Sequence, residues 1–267
     1  MSLTLPSEKM LARTDGAIGH VIFNNPERHN AVSLEMWDAL DVALQHYEND
    51  DTIRVVVLSG AGGKAFVSGA DISKFEMERG SKEATQRYNS RIKEVYQRIE
   101  AFPKPTIAMI HGHCIGGGLN LAVCCDLRFC SPASKFAMPA AKLALGYPIH
   151  AIRRLMRAIG PADAKRLMFT AKSIDADTAF RLGLVQEVIA QDELEGHVNT
   201  IAESIAANAP LTIKAMKFIS TQVLETDPDK RDLDHCDALV AACFASEDYV
   251  EGRTAFLEKR KPDFKGR

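Results

Sequence analysis

The chain has 267 residues, 46% apolar and 25% charged, enough to bury a sizeable core in one large domain or two smaller ones. Its formal net charge of -2 gives no general attraction to nucleic acid or to an anionic membrane, and no apolar run reaches the roughly 20 residues of a membrane-spanning helix. The opening "MSLTLPSEKM" lacks a basic start with an apolar core behind it, and the six cysteines sit mostly inside apolar runs without zinc-site spacing, so a cytoplasmic protein with reduced thiols and no metal is expected.

"HVIFNN" (20–25) is rich in β-formers and reads as a strand closed by Pro26. Ser33 then suits a helix N-cap, with Glu35 near the positive end of the dipole. Met36, Leu40, Leu44 and Tyr47 give that helix one apolar face. "IRVVVLSG" (53–60) is a continuous apolar run and reads as a strand buried on both faces. A glycine-punctuated loop, "GAGGKAFVSGADISKF", follows. A helix from about Ser81 to Ala101 carries Ala84, Tyr88, Ile92, Val95 and Ile99 on one side, and Pro103 and Pro105 end it. "TIAMIHG" (106–112) is another buried strand, "HGHCIGGGLNLAVCCD" leads from it into a helix, and "DLRFCS" (126–131) is a strand again. Past Gly160, Pro161 suits a first helical position and Asp175 and Asp192 suit caps. From there to Lys261 helices dominate, with one short strand at "QEVI" (186–189). Strands followed by turns and helices argue for an α/β core with buried strands.

The chemistry lies in two glycine loops. A strand running through Gly116, Gly117 and Gly118 into a helix leaves the first N–H groups of that helix unpaired, and glycine lets a ligand approach them closely. Such a place suits an anion, or an oxygen that becomes negative during a reaction; the same glycines also serve tight packing alone. The second loop, "AFVSGADISKF", follows a buried strand too. One N–H from each loop, converging on one oxygen, would make an oxyanion hole for an enolate or a tetrahedral intermediate. Asp71 reads as the cap of the next segment rather than as a catalyst.

"NNPERHNAVSLEMWDAL", "AFVSGADI", "KPTIAMIHGHCIGGGLNLAVCCDLR", "FAMPAAKLALGY", "ADAKRLMFTAKSIDADTAFRLGLVQEVI" and "GRTAFLEKRKPDFKGR" run in order over almost the whole chain. Together they resemble the enoyl-CoA hydratase/isomerase (crotonase) superfamily. The resemblance implies a crotonase-like ββα spiral core that binds acyl-CoA over residues 1–190. It also implies a helical oligomerisation region over 191–267, assembled as a homotrimer or hexamer. The substrate implied is an acyl-CoA thioester, with coenzyme A arriving as part of it and no tightly bound cofactor. Carried over residue by residue, the oxyanion donors are the N–H groups of Ala70 and Gly117. Phe256 and Lys259 match residues that reach the CoA of a neighbouring subunit, and Arg28 is a further candidate at that end.

This chain also departs from the family pattern. Hydratases of the family carry glutamates at the positions of Asn120 and Ala140. An amide takes no proton near neutral pH and a methyl group does no acid–base work, so the two-glutamate mechanism is lost. Where hydratases have a glycine-rich turn, this chain has Tyr147, Pro148, Ile149 and His150. His150 and Tyr147 are candidate replacements for the acid or base, or else wall of the pocket. Asn120 either orients a substrate oxygen or water or is a satisfied buried amide. His111 and His113 read as packing beside the glycine loop, and the adjacent Arg153 and Arg154 as solvent-facing. The reading is a lyase- or isomerase-type enzyme using an enolate, decarboxylation included. The alternative is a CoA-thioester-binding or regulatory protein of the same fold without turnover. Ala238, Leu239, Ala242, Cys243 and Phe244 place an apolar stripe on a late helix, suited to contact between subunits.

Overall fold

The computed structural model describes residues 2–267; Met1, where the segment read above as lacking a leader begins, lies outside them. Along the chain, β1 (Ser2–Leu3), β2 (Met10–Asp15) and β3 (Ile18–Phe23) precede α1 (Leu34–Asn49). β4 (Val55–Gly60) and β5 (Ala65–Val67) lead to α2 (Phe75–Arg79) and α3 (Lys82–Ala101). β6 (Thr106–Ile110), β7 (His113–Ile115), α4 (Gly117–Ala122), β8 (Leu127–Cys130) and β9 (Lys135–Ala137) follow. Next come α5 (Ile149–Thr170), β10 (Ile174–Asp175), α6 (Ala176–Arg181) and β11 (Glu187–Val188). α7 (Leu194–Ala206), α8 (Pro210–Val223), α9 (Leu233–Ala245) and α10 (Glu247–Glu258) come last.

The strands form two mixed sheets. The larger has the order β1-β2-β3-β4-β6-β8-β11, antiparallel from β1 to β3 and parallel from β3 onward. The smaller has the order β10-β9-β7-β5, with β9, β7 and β5 parallel to one another. The unbroken apolar run of β4 follows from burial on both faces. Val56 and Leu58 point into the main core with Met36 and Leu40. Val55 and Val57 point the other way, onto Leu194, Val198 and Ala202 of α7.

α1 buries Met36, Leu40, Leu44 and Tyr47 as its spacing requires. Ser33 stands at its N-cap without a side-chain cap bond; instead the Leu34 N–H donates to Glu78 Oε1 at 2.9 Å, so a carboxylate from α2 meets the positive end of α1. Ser81 caps α3 and Asp175 caps α6 as expected. Gly160, at φ 75°, breaks α5, and Pro161 opens its second half. One cap expectation is corrected: α7 starts at Leu194 with Glu193 at its N-cap, so Asp192 lies in the preceding turn. The reading of residues 60–75 as loop is also corrected, because Ala65–Val67 within it pairs with β7 as a strand.

Candidate active site

The three parallel strands of the small sheet deliver three loops to one place. Val67 pairs with Cys114 and Ile115 with Ala137, so the turns after β5, β7 and β9 leave their carboxyl ends side by side. In the first turn, Val32 N–H donates to Gly69 O at 2.8 Å and Asp71 N–H to Val32 O at 2.9 Å. This isolated bridge leaves the Ala70 N–H as the donor of the turn that it does not use. Asp71 is the expected cap: its carboxylate accepts from Ser73 N at 3.1 Å and Ser73 Oγ at 2.7 Å, with the Arg28 guanidinium 3.7 Å away.

The glycines of the second turn do separate jobs. Gly116 sits at φ 56°, ψ -110°, a conformation that side chains oppose, and its N–H donates to Ala137 O at 2.8 Å. A Cβ on Gly118 would overlap the Val67 carbonyl, so that glycine lets α4 lie against β5. Gly117 is the first residue of α4, and its N–H therefore precedes the i→i−4 ladder. A Cβ there would lie 4.0 Å from Gly69 Cα, which puts the two turns in contact.

Below the turns lie two phenols, an amide and a thiol, with the Arg154–Glu100 ion pair beside them. Tyr96 Oη donates to Gly117 O at 2.9 Å. Burial holds the Tyr96 hydroxyl well above its usual pKa of 10, nearby Tyr147 adds to the rise, and hydrogen bonding from Asn120 works against it. Asn120 is 3% exposed, and its Oδ1 has no hydrogen-bond partner among the described residues. Burial also raises Tyr147 and Cys124 far above neutrality. His150, half-buried at the start of α5, has its pKa lowered by burial and then by Arg154, which keeps the imidazole neutral near pH 7. Ala140 is half-buried in the short 3-10 turn Pro139–Leu143 after β9.

The solvent-facing reading holds for Arg153 and is corrected for Arg154. Arg153 is exposed, but Arg154 is 4% exposed. It pairs with Glu100 of α3 and sits 5.6 Å from the Tyr96 ring centre. Tyr96 itself was overlooked in the sequence. It lies four residues after Ile92 and three before Ile99, on the apolar face of α3, where a phenol must find a buried partner.

The structure thus brings together Ala70, Gly117 and Asn120. Tyr147 lies against the same core and Arg28 beside the Asp71 turn. His111 is half-buried, and His113 is exposed, edge-on to His29 at 5.5 Å. Phe256 is 84% exposed, and Lys259 ends α10 in the left-handed conformation. Among the described residues no hydrogen bond or ion pair ties either to the glycine turns. Among the described residues, too, no group of three His, Cys, Asp or Glu side chains is placed to hold a metal ion. No helix among the described residues is long and apolar enough to cross a membrane.

A two-sheet α/β core that presents main-chain N–H groups from paired turns defines a class of fold shared by many solved proteins. The crystal structure of an enoyl-CoA hydratase/carnithine racemase from Magnetospirillum magneticum superposes with a TM-score of 0.91 at 35% identity, covering 98% of this chain and 97% of that one. The crotonyl-CoA hydratase of Syntrophomonas wolfei is 35% identical over 257 residues, 96% of this chain and 98% of that protein. The peroxisomal Delta(3,5)-Delta(2,4)-dienoyl-CoA isomerase of Arabidopsis thaliana is 34% identical over an alignment of 277 residues, 98% of this chain and 99% of that protein. The enoyl-CoA hydratase/isomerase family model matches residues 13–267, and the chain belongs to that family, whose members act on CoA thioesters.

Proposed function

We propose that this protein is an enzyme that binds an acyl-CoA thioester and stabilises its enolate with the N–H groups of Ala70 and Gly117. The contact between the Gly69–Ala70 turn and Gly117 carries this reading. Two fixed main-chain donors favour an oxygen that gains negative charge, and their alignment costs nothing at the moment of reaction. Asn120 and Ala140 leave no carboxylate pair at the hydratase positions, and the Asp71 carboxylate in the turn is engaged with Ser73 and Arg28. A lyase- or isomerase-type reaction through the enolate, such as decarboxylation, suits that inventory better. Tyr147 and His150 are the residues assigned to proton transfer, and Asn120 to orienting the reacting group. Arg28 serves the CoA end, with Phe256 and Lys259 supplied by a neighbour in a trimer or hexamer. Residues 1–190 then form the catalytic core and 191–267 the assembly region.

A mass-spectrometric screen of acyl-CoA thioesters with the purified protein tests the reading, and a chemically altered thioester is the expected result. Binding without turnover of any thioester would favour a regulatory CoA-ester binder. Crotonyl-CoA hydration should be weak. Asn120→Glu combined with Ala140→Glu should raise it by about a hundredfold or more, the scale of general acid–base catalysis. Rapid hydration by the wild-type protein would show that other groups do this work.

A further inference from the structure

Eleven buried side-chain polar atoms have no hydrogen-bond partner among the described residues. Four of them are on His20, His111, His197 and Asn199. The remaining seven run from Glu78 and Arg79 past Tyr88 and Trp37 to Tyr96: Trp37 Nε1, Glu78 Oε2, Arg79 Nε, Tyr88 Oη, Asn120 Oδ1, and Nε and Nη1 of Arg154. The Trp37 ring stands edge-on to Tyr96 at 5.2 Å, and Arg154 and Asn120 flank the same phenol. Arg79 lies 3.9 Å from the Tyr88 ring centre. Arg79 and Trp37 both approach the Tyr88 hydroxyl closely enough to favour its ionised form, without closing a hydrogen bond of normal geometry. Glu78 spends one oxygen on the Leu34 N–H and keeps the other free. Trp37, Glu78, Tyr88, Asn120 and Arg154 are each more than nine-tenths buried.

Native interiors leave few such atoms, and seven in one patch call for a common reason. The patch has a direction. At one end Tyr96 is bonded to Gly117, and at the other α2, which carries Glu78 and Arg79, follows the Ala70 turn after one 3-10 turn, Ile72–Lys74. It therefore starts where the acyl group of a thioester held by Ala70 and Gly117 would leave the two donors. Its charges balance: Glu78 and Arg79 are neighbours, and Arg154 is offset by Glu100. Neither a carboxylate nor an ammonium gains from that balance. A hydroxyl, both donor and acceptor, can satisfy an indole N–H, a phenol, a guanidinium and a carboxylate oxygen in turn. A plain alkyl chain would cover these atoms and satisfy none.

We propose that this patch selects the acyl group, and that the protein prefers a short acyl chain bearing a distal hydroxyl over the matching unsubstituted chain. The proposal rests on the acyl-CoA reading above and extends it to the substrate class. Calorimetric titration of the purified protein tests it, with saturated acyl-CoAs from propionyl to hexanoyl, each with and without a terminal hydroxyl. At one chain length or more the hydroxylated thioester should bind about tenfold tighter than its partner, or better, since a site built to bond a hydroxyl penalises the analogue without it. Tyr88→Phe and Trp37→Phe, which remove the hydroxyl and the indole N–H, should reduce that preference and leave affinity for the unsubstituted series in place. Hydroxylated and plain thioesters bound equally at every length would overturn the proposal while the acyl-CoA reading stands. Binding of neither series would bring down both. A preference undiminished in both variants would show that the hydroxyl is read elsewhere, and would overturn the assignment to this patch.

Discussion

Gly117 opens α4, and proline is well accepted at a first helical position. Gly117→Pro therefore removes the N–H at issue while keeping the helix start. Loss of one oxyanion donor costs about 2.7–4 kcal/mol in catalysis, so turnover should fall at least about a hundredfold with an unchanged circular dichroism spectrum. A folded variant of full activity would refute the donor assignment. The buried histidines make a second prediction. Burial and then Arg13 hold His20 below the usual 6.5, and burial does the same to His111. The folded state stays neutral where the unfolded chain takes up protons, so ν_U exceeds ν_N and stability rises with pH. The contribution is complete above about 6.5 and shrinks as pH falls from there toward the folded values. The melting temperature should drop between pH 7 and pH 5, and His20→Gln should flatten that slope; an equally steep slope in the variant would exclude His20 as a source. At this scale the glycines and Asn120 were legible because their types are distinctive. Tyr96 and Arg154 were not, since a tyrosine or arginine at one helix position is apolar wall or solvent-facing until its partner, Gly117 O or Glu100, is known.

Among the elements, the buried strands β3, β4, β6 and β8 could be read from the sequence, as could the short β11 at "QEVI", whereas β2 and the strands of the small sheet were not. β4 and β6 are largely apolar runs of six and five residues, and β8 is a four-residue stretch with Arg128 as its one charged member, long enough to register as strands. β5, β7 and β9 span three residues each, too few for any period; β5 was read as loop, β7 as the end of the preceding strand, and β9 was not assigned. What fixes β5 is a side chain from far away. Asn30, fully buried at φ 55°, accepts from Asn25 N at 2.9 Å and donates to Ala61 O at 3.0 Å and Ala65 O at 2.8 Å. It ties the segment bearing Arg28 to both ends of the β4–β5 turn, and the Ser68 N–H continues the seam by donating to His29 O at 3.2 Å. Asn30→Ala would strand a buried N–H and two carbonyls. It should cost about 3 kcal/mol in urea-induced unfolding. A change below half that value would mean the turn is held by its backbone alone.

On the scale of the whole molecule, the helices after residue 206 are the least covered part. α9 buries only Cys236 among its residues, while Phe244 is 63% exposed and, on α10, Phe256 and Leu257 are 84% and 78% exposed. Large apolar side chains grouped this way mark a contact surface. Light scattering should therefore give three or six times the chain mass. Lys259→Ala should weaken binding of a CoA ester several-fold and leave that mass unchanged; a monomer that still binds would refute a shared site. The proposed donors also have a bearing on how such proteins diversify. Both are peptide N–H groups, so no exchange of side chains short of proline deletes them, and their placement is encoded in the path of three neighbouring strands. Mutation can rewrite positions such as 120, 140, 147 and 150 freely while the grip on the oxygen is inherited intact. One backbone can thus be passed on as a common holder, and its chemistry revised a residue at a time.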